Sequence, residues 1–277
     1  MQLSKGVQYM IIAAFVFSLM KVCIKQVSHI PAVEVILFRS IISLVISGYF
    51  LMRQKVSFWG NNRKVLILRG ATGALSLVLF FSLLQQIPLA AAASMQYLSP
   101  VFSAILGVYI VKEKVNWKQY LFFGISFLGV LVIQGFDTRI SMLHLAMGLG
   151  ASFFAGLAYN WVRLLKTSEH PLVIILYFPL VTIPLAGIAT CFDWVTPVGW
   201  DWFFLLLVGI FTQIAQFYMT KSYQLEEISK VSIINYTGLL YSLGFGFFIF
   251  GETYDWMSYT GMFLVILGVI LNVRFKK

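Results

Sequence analysis

Long apolar runs separated by short polar breaks recur along the whole chain. Ten can be drawn as spanning helices, near 7–27, 33–52, 66–86, 89–111 and 116–135, then 145–165, 171–191, 201–223, 228–250 and 256–273. A helix rises about 1.5 Å per residue and a hydrocarbon core is about 30 Å thick, so each run is long enough to cross a bilayer. Backbone amides at that depth need internal partners, and runs of this length supply them as helices rather than barrel strands. The breaks are mostly short, which makes neighbouring spans antiparallel. The pattern predicts an all-α, polytopic membrane protein of ten transmembrane helices.

Within the run 89–111, Ser99, Ser103 and Gly107 stand four apart on one helical face, where small residues let another backbone come close. The stripe returns as Gly238, Ser242 and Gly246, displaced by 139 residues. From Gln85 to Val130 that displacement gives eleven identities without a gap, where chance in so biased a composition gives roughly three or four. They include Gln85/Gln224, Tyr97/Tyr236, Glu113/Glu252, Trp117/Trp256 and Gly129/Gly268. A weaker match, displaced by 140, pairs Pro31 with Pro171 and Phe38 with Phe178. We read residues 1–138 and 139–277 as two units of five spans. An odd number of spans inverts the second unit relative to the first. Inverted repeats point to a carrier with its substrate near the midplane between the units.

Composition sharpens this. Of 277 residues only 11% are charged and 60% are hydrophobic, with a mean hydropathy of +0.89. Soluble domains carry about 25% charged residues, which excludes that class. The net charge of +10 does not indicate nucleic acid, because no basic and aromatic residues interleave on a polar segment. It follows instead from cationic loops. With the amino terminus inside, the cytoplasmic segments hold Lys5, Arg53, Lys55, Arg63, Lys64, Arg69, Lys112, Lys114, Lys118, Lys166, Arg274, Lys276 and Lys277. The opposite segments hold Asp137, Arg139, Asp193, Asp201, Glu252 and Asp255 and are mostly acidic. A plasma (inner) membrane protein with both termini cytoplasmic is expected.

Enzyme chemistry finds no foothold. The sequence has no H-E-x-x-H, no glycine-rich phosphate loop with a lysine and no C-x-x-C. His29, His144 and His170 all fall at span ends, without metal-ligand spacing. Cys23 and Cys191 lie in apolar runs as packing residues. No metal or cofactor is expected. Without a nucleotide-binding motif, transport must be secondary or facilitated, and no carboxylate away from the span ends offers a proton relay.

Several stretches carry a family resemblance: Gln85 to Ala93 (QQIPLAAAA), Tyr97-Leu98-Ser99-Pro100, the terminal Glu113, Phe38-Arg39-Ser40, Arg69-Gly70 and Phe250-Gly251-Glu252. Together they resemble the drug/metabolite transporter superfamily, in particular its EamA-type members, over essentially the whole chain. The resemblance implies ten helices in two inverted five-helix repeats, a central cavity and alternating access. The second half departs from the first at Glu226-Glu227-Ile228-Ser229-Lys230, where the first has residues 87–91, so the two hairpins are not alike.

Charges inside spans are costly and mark a pathway or a pair. Lys21, Lys25, Arg39, Arg163, Lys221 and Lys230 are the candidates. Lys21 and Lys25 share a helical face and, with Arg39, read as a basic vestibule for anionic or zwitterionic solutes. The competing reading is snorkelling to the interface, with Arg39 pinned by Glu34 or by carbonyls. Uncharged polar groups at depth complete the expected substrate site: Lys21, Arg39, Ser76, Gln96, Tyr97, Tyr159, Asn160, Gln213, Gln216, Asn235 and Tyr236. Gln213, Gln216 and Thr220 form one polar stripe, facing either a cavity or a neighbouring helix through hydrogen bonds. Pro100 predicts a kink in the fourth span.

The expected function is a secondary membrane transporter moving a small polar metabolite across the plasma membrane by alternating access. The metabolite would be an amino acid, an organic anion or a nucleoside-like compound. The alternative is a non-transporting scaffold or lipid-interacting protein on the same fold, which a greasy seam between the halves would favour. Expected partners are a small-molecule substrate and the lipid bilayer, and a homodimer is compatible with the reading.

Overall fold

Among the described residues every regular element is a helix. The structure, a computed structural model, describes residues 4–112, 117–137, 139–226 and 237–274. In chain order the helices are α1 (Lys5–Gln26), α2 (Ala32–Arg53), α3 (Arg63–Gln86), α4 (Leu89–Gln96), α5 (Ser99–Ile110) and α6 (Trp117–Phe136). They continue with α7 (Met142–Leu165), α8 (Pro171–Thr190), α9 (Asp201–Leu225), α10 (Thr237–Phe250) and α11 (Trp256–Arg274).

Counting α4 and α5 as one span, seven are long and apolar enough to cross a membrane. Three shorter apolar helices, Leu121–Ile133, Thr237–Phe250 and Trp256–Gly268, complete the ten-helix arrangement. Large apolar side chains such as Leu240, Phe247, Phe248 and Phe263 stay exposed on the outside of the bundle, as a lipid-facing surface requires. Exposed tryptophans gather at both ends, Trp59 and Trp117 at one and Trp194, Trp200, Trp202 and Trp256 at the other. Amphipathic rings favour the two membrane–water interfaces, so the bundle's ends mark the bilayer's.

The fourth span is broken, not merely kinked. Pro100 lies in the first turn of α5 and has no amide hydrogen for the carbonyl four residues back. The chain turns at Tyr97 and Leu98, where the Tyr97 amide bonds Ala93 and the Leu98 amide bonds Met95. α7 lies against this break through its own small stripe. A side chain at Gly156 would meet the Ser103 amide at 2.8 Å, and Ser152 donates to the Met95 carbonyl at 2.7 Å.

Helix packing repeats itself between the halves. α1 packs on α9 as α3 packs on α7; α2 packs on α9 as α3 on α8; α1 on α10 as α5 on α7. The pairs α2–α8 and α6–α11 map onto themselves under the same exchange. His144, at the start of α7, lies 3.1 Å from Gln86 at the end of α3, so those helices run antiparallel. α1 and α3 run the same way, and α7 is therefore inverted relative to α1, its counterpart. The closest seam is α6–α11: a Cβ at Gly129 would lie 2.6 Å from the Gly261 carbonyl, and one at Gly268 would lie 2.7 Å from that of Phe122.

Candidate functional site

Three cationic side chains enter one cavity from three helices: Lys21 from α1, Arg39 from α2 and Arg69 from α3. The cavity has a volume of about 120 Å³, lies between the halves and is lined also by α4, α5, α7, α8 and α9. All three cations are buried, at 6%, 3% and 6% exposure. None has a carboxylate partner among the described residues.

Their neighbours are rings and hydroxyls. The Lys21 ammonium stands 5.5 Å from the Tyr97 ring centre and 6.0 Å from that of Phe80. Arg39 and Arg69 both lie over Phe178, at 4.7 and 5.4 Å. Arg39 Nε donates to the Thr212 hydroxyl at 2.9 Å, while its Nη1 has no partner among the described residues. Arg69 Nε and Nη1 also lack partners. Aromatic faces attract cations by their quadrupoles, yet they leave guanidinium hydrogens unbonded. Buried donors of this kind are poised to bind an acceptor that the protein itself does not supply. Tyr159, which is hydrogen-bonded to Ser99, and Tyr223 close another wall with ring centres 5.9 Å apart. Gln96 and Gln216 add amides to the lining, and the Gln216 Oε1 is unpartnered.

One end of the bundle is closed by a polar clasp joining both halves. Gly251, at φ +62°, ends α10 in the left-handed conformation that glycine adopts without strain, and turns Glu252 back toward α4. Gly246 leaves room for that carboxylate, since a Cβ there would lie 2.6 Å from its Oε2. Glu252 accepts from the Leu89 amide at 2.9 and 3.1 Å, from the Tyr254 hydroxyl at 2.8 Å and from the Lys25 ammonium. Lys25 also donates to the Ile87 carbonyl at 3.0 Å. Burial, with the Glu252 charge beside it, pushes the Tyr254 phenol well above its ordinary value. At the same end burial opposes ionisation of Asp137, but hydrogen bonds from Arg139 outweigh it and hold the carboxyl below its usual range. The cavity extends away from this clasp, toward Thr220 and Tyr223 near the end of α9.

Of the residues expected from sequence, Lys21, Arg39, Ser76, Gln96, Tyr97, Tyr159 and Gln216 line this cavity. Ser76 already donates to the Ala151 carbonyl at 2.7 Å and presents only its lone pairs. Asn160 and Gln213 do not line it. Asn160 donates to the Ser103 and Gly156 carbonyls at 2.9 Å, stitching α7 to α5. Gln213 accepts from Ser43 at 2.7 Å and donates to Ser47 at 2.8 Å, stitching α9 to α2. Asn235 and Tyr236 lie outside the described residues, as do Lys230 and Glu227. Arg39 is bonded to Thr212, and Glu34 accepts instead from the Val195 amide at 3.0 Å. Arg69, assigned by its neighbours to a cytoplasmic loop, is a cavity residue. Asn62, whose side chain caps α3 by accepting from the Val65 amide, was the available signal that the helix starts early enough to bury Arg69.

A ten-helix membrane bundle that is closed at one end and encloses a basic, polar-lined cavity between inverted halves has the architecture of a membrane carrier. The chain belongs to the EamA-like transporter family, whose profile matches residues 4–135 and again 142–274. It is 30% identical to the Pseudopaline exporter CntI of Pseudomonas aeruginosa over 99% of this chain and 98% of that protein. Human Solute carrier family 35 member G1 is 26% identical over 94% of this chain and 76% of its own. One solved crystal structure shares the fold with a TM-score of 0.73 at 15% identity, covering 99% of both chains. The protein is a multi-pass membrane protein of a transporter family.

Proposed function

We propose that the protein is a secondary carrier for a small organic anion, working by alternating access across the plasma membrane. The observation that carries this reading is the set of three buried cations, Lys21, Arg39 and Arg69, around one cavity and without carboxylate partners among the described residues. A buried unpaired cation is costly, so a cavity holding several is best understood as completed by an anionic guest. Tyr97, Tyr159, Gln96, Gln216 and the lone pairs of Ser76 then orient the guest. Its apolar part rests on Phe178 and Phe80. The units 1–138 and 139–277 alternate which end is closed, and the Lys25–Glu252 clasp is the closure at one end. Kinship with an exporter and a solute carrier supports the transport reading. The cationic loops favour both termini in the cytoplasm, which reporter fusions at each terminus would test.

The direct test is a thermal-shift panel of amino acids, organic anions and nucleosides on the purified protein, followed by flux of each hit into proteoliposomes. Stabilisation and flux by organic anions, lost in Arg39→Gln, are expected. Binding and flux confined to neutral or cationic compounds would overturn the reading.

A further inference from the structure

We propose that this carrier is an obligate anion exchanger, whose empty form does not complete the transport cycle, and whose cargo bears at least two negative charges. The proposal rests on the anion-carrier reading above and adds to it the mode of transport and the charge of the cargo. It follows from where the charge of the cavity goes when nothing is bound.

Lys21, Arg39 and Arg69 are each more than nine-tenths buried. Among the described residues, the buried carboxylates are engaged elsewhere. Glu34 accepts from Val195 through Oε2 alone, Asp137 pairs with Arg139, Glu169 accepts from the Asn61 and Asn62 amides, and Glu252 holds the clasp. Hydrogen bonding does not saturate the guanidinium groups either, since Arg39 Nη1 and Arg69 Nε and Nη1 have no acceptor. Alternating access passes through a state closed at both ends. Closing the cavity while empty encloses three like charges in a low-dielectric space with no carboxylate among the described residues to offset them, an arrangement membranes tolerate poorly. Closing it around an anion supplies the offset. The closed state is then reachable loaded and unreachable empty, so each anion carried one way must be answered by another carried back.

The count of charges sets the class. A monoanion leaves an excess of two cations, whereas a dianion leaves one. The Tyr97 and Phe80 rings beside Lys21 are placed to attract that remaining charge. The pair Arg39 and Arg69, astride Phe178, takes one acidic group of the guest, and Lys21 faces the other. Either carboxylate or phosphate oxygens meet this requirement.

The experiment uses the full chain in liposomes with potassium HEPES on both sides, a buffer bearing a single acidic group. Valinomycin prevents a membrane potential from limiting net uptake. Liposomes are loaded with succinate, 2-oxoglutarate, citrate, inorganic phosphate or nothing, and uptake of the same radiolabelled compound is followed. For at least one probe, uptake into loaded liposomes should exceed that into unloaded ones by about tenfold or more. Which probes succeed tells carboxylate from phosphate. Propionate or lactate inside should stimulate less than about twofold. Equal uptake with and without internal anion overturns obligate exchange while leaving the carrier reading intact. Stimulation by a monocarboxylate as strong as by a dianion overturns the charge requirement. No uptake of any probe under either loading, by protein that unfolds cooperatively, overturns the anion-carrier reading and the exchange built on it.

Discussion

Replacing Arg69 with methionine separates a charge held for cargo from a charge held for the fold, because the two give opposite signs. The Arg69 and Arg39 guanidinium centres lie 5.4 and 4.7 Å from the same Phe178 ring, so they are at most about 10 Å apart. At an effective dielectric near 20 their repulsion is at least roughly 1.7 kcal/mol, which methionine removes. The two unsatisfied donors of Arg69 add about 1 kcal/mol each at the low end of such costs. Against this stands the lost contact with Phe178, about 0.5–2 kcal/mol. The balance is a ligand-free protein more stable by about 2 kcal/mol, or a Tm higher by about 4–8 °C for a chain of this length. Affinity for an anion should fall at the same time by about 10- to 100-fold, the loss of one charge-assisted contact. Cys23 is buried and Cys191 exposed, so a thiol-reactive dye on a Cys191→Ser background reports unfolding. Proteoliposome uptake supplies the second measurement. A Tm that drops by several degrees, or anion flux that survives unchanged, would refute the argument.

Three further outcomes follow from other parts of the bundle. Glu252→Gln leaves the Lys25 ammonium unneutralised and weakens the clasp by about 2 kcal/mol, less than a fully buried pair would lose because Lys25 is 17% exposed. A cysteine introduced at the buried Ala90 should then be labelled by an impermeant maleimide about tenfold faster or more, and equal rates would show that the clasp does not close this end. Gly261→Ala should cost about 1–3 kcal/mol, since its Cβ would lie 2.7 Å from the Gly129 carbonyl, whereas Gly124→Ala, with open space around it, should gain up to about 1 kcal/mol. Similar melting temperatures for the two would deny the tight seam. His170 caps α8 by accepting from Leu172, and burial, aided by the Lys221 charge, lowers its pKa below 6.5. The unfolded chain therefore takes up that proton first as pH falls, so stability is full above about 6.5 and declines below it. His170→Asn keeps an acceptor without titrating and should flatten the Tm profile between about pH 5 and 7.5, and an unchanged slope would exclude His170 as the cause.

Span positions and the doubling of the chain were legible because hydropathy and the 139-residue displacement are properties of order along the sequence. Lys21 and Arg39 were legible as cavity residues because a charge far inside an apolar run has few other uses. Arg69 was not, because Arg63 and Lys64 drew it into a loop. With α3 starting at Arg63 it sits six residues in, about 9 Å deep. Gln213 and Gln216 share a polar stripe, but the stripe is wide enough for Gln213 to reach Ser43 and Ser47 while Gln216 reaches the cavity. One dimension gives the face of a helix and not its neighbour. The role of Glu252 as a clasp depended on Lys25 and Leu89, brought to it from more than half the chain away.

Among the described residues, none of the cavity lining comes from α6 or α11, the pair that meets backbone to backbone at Gly129, Gly261 and Gly268. On the carrier reading proposed above, the parts that would choose a cargo and the part that joins the two halves are thus written in separate residues. Selectivity would then be rewritten by exchanging a few side chains on α1, α2 and α3 while the glycine post stays untouched. One scaffold is thereby free to diversify toward chemically unrelated solutes without having to reinvent how it moves.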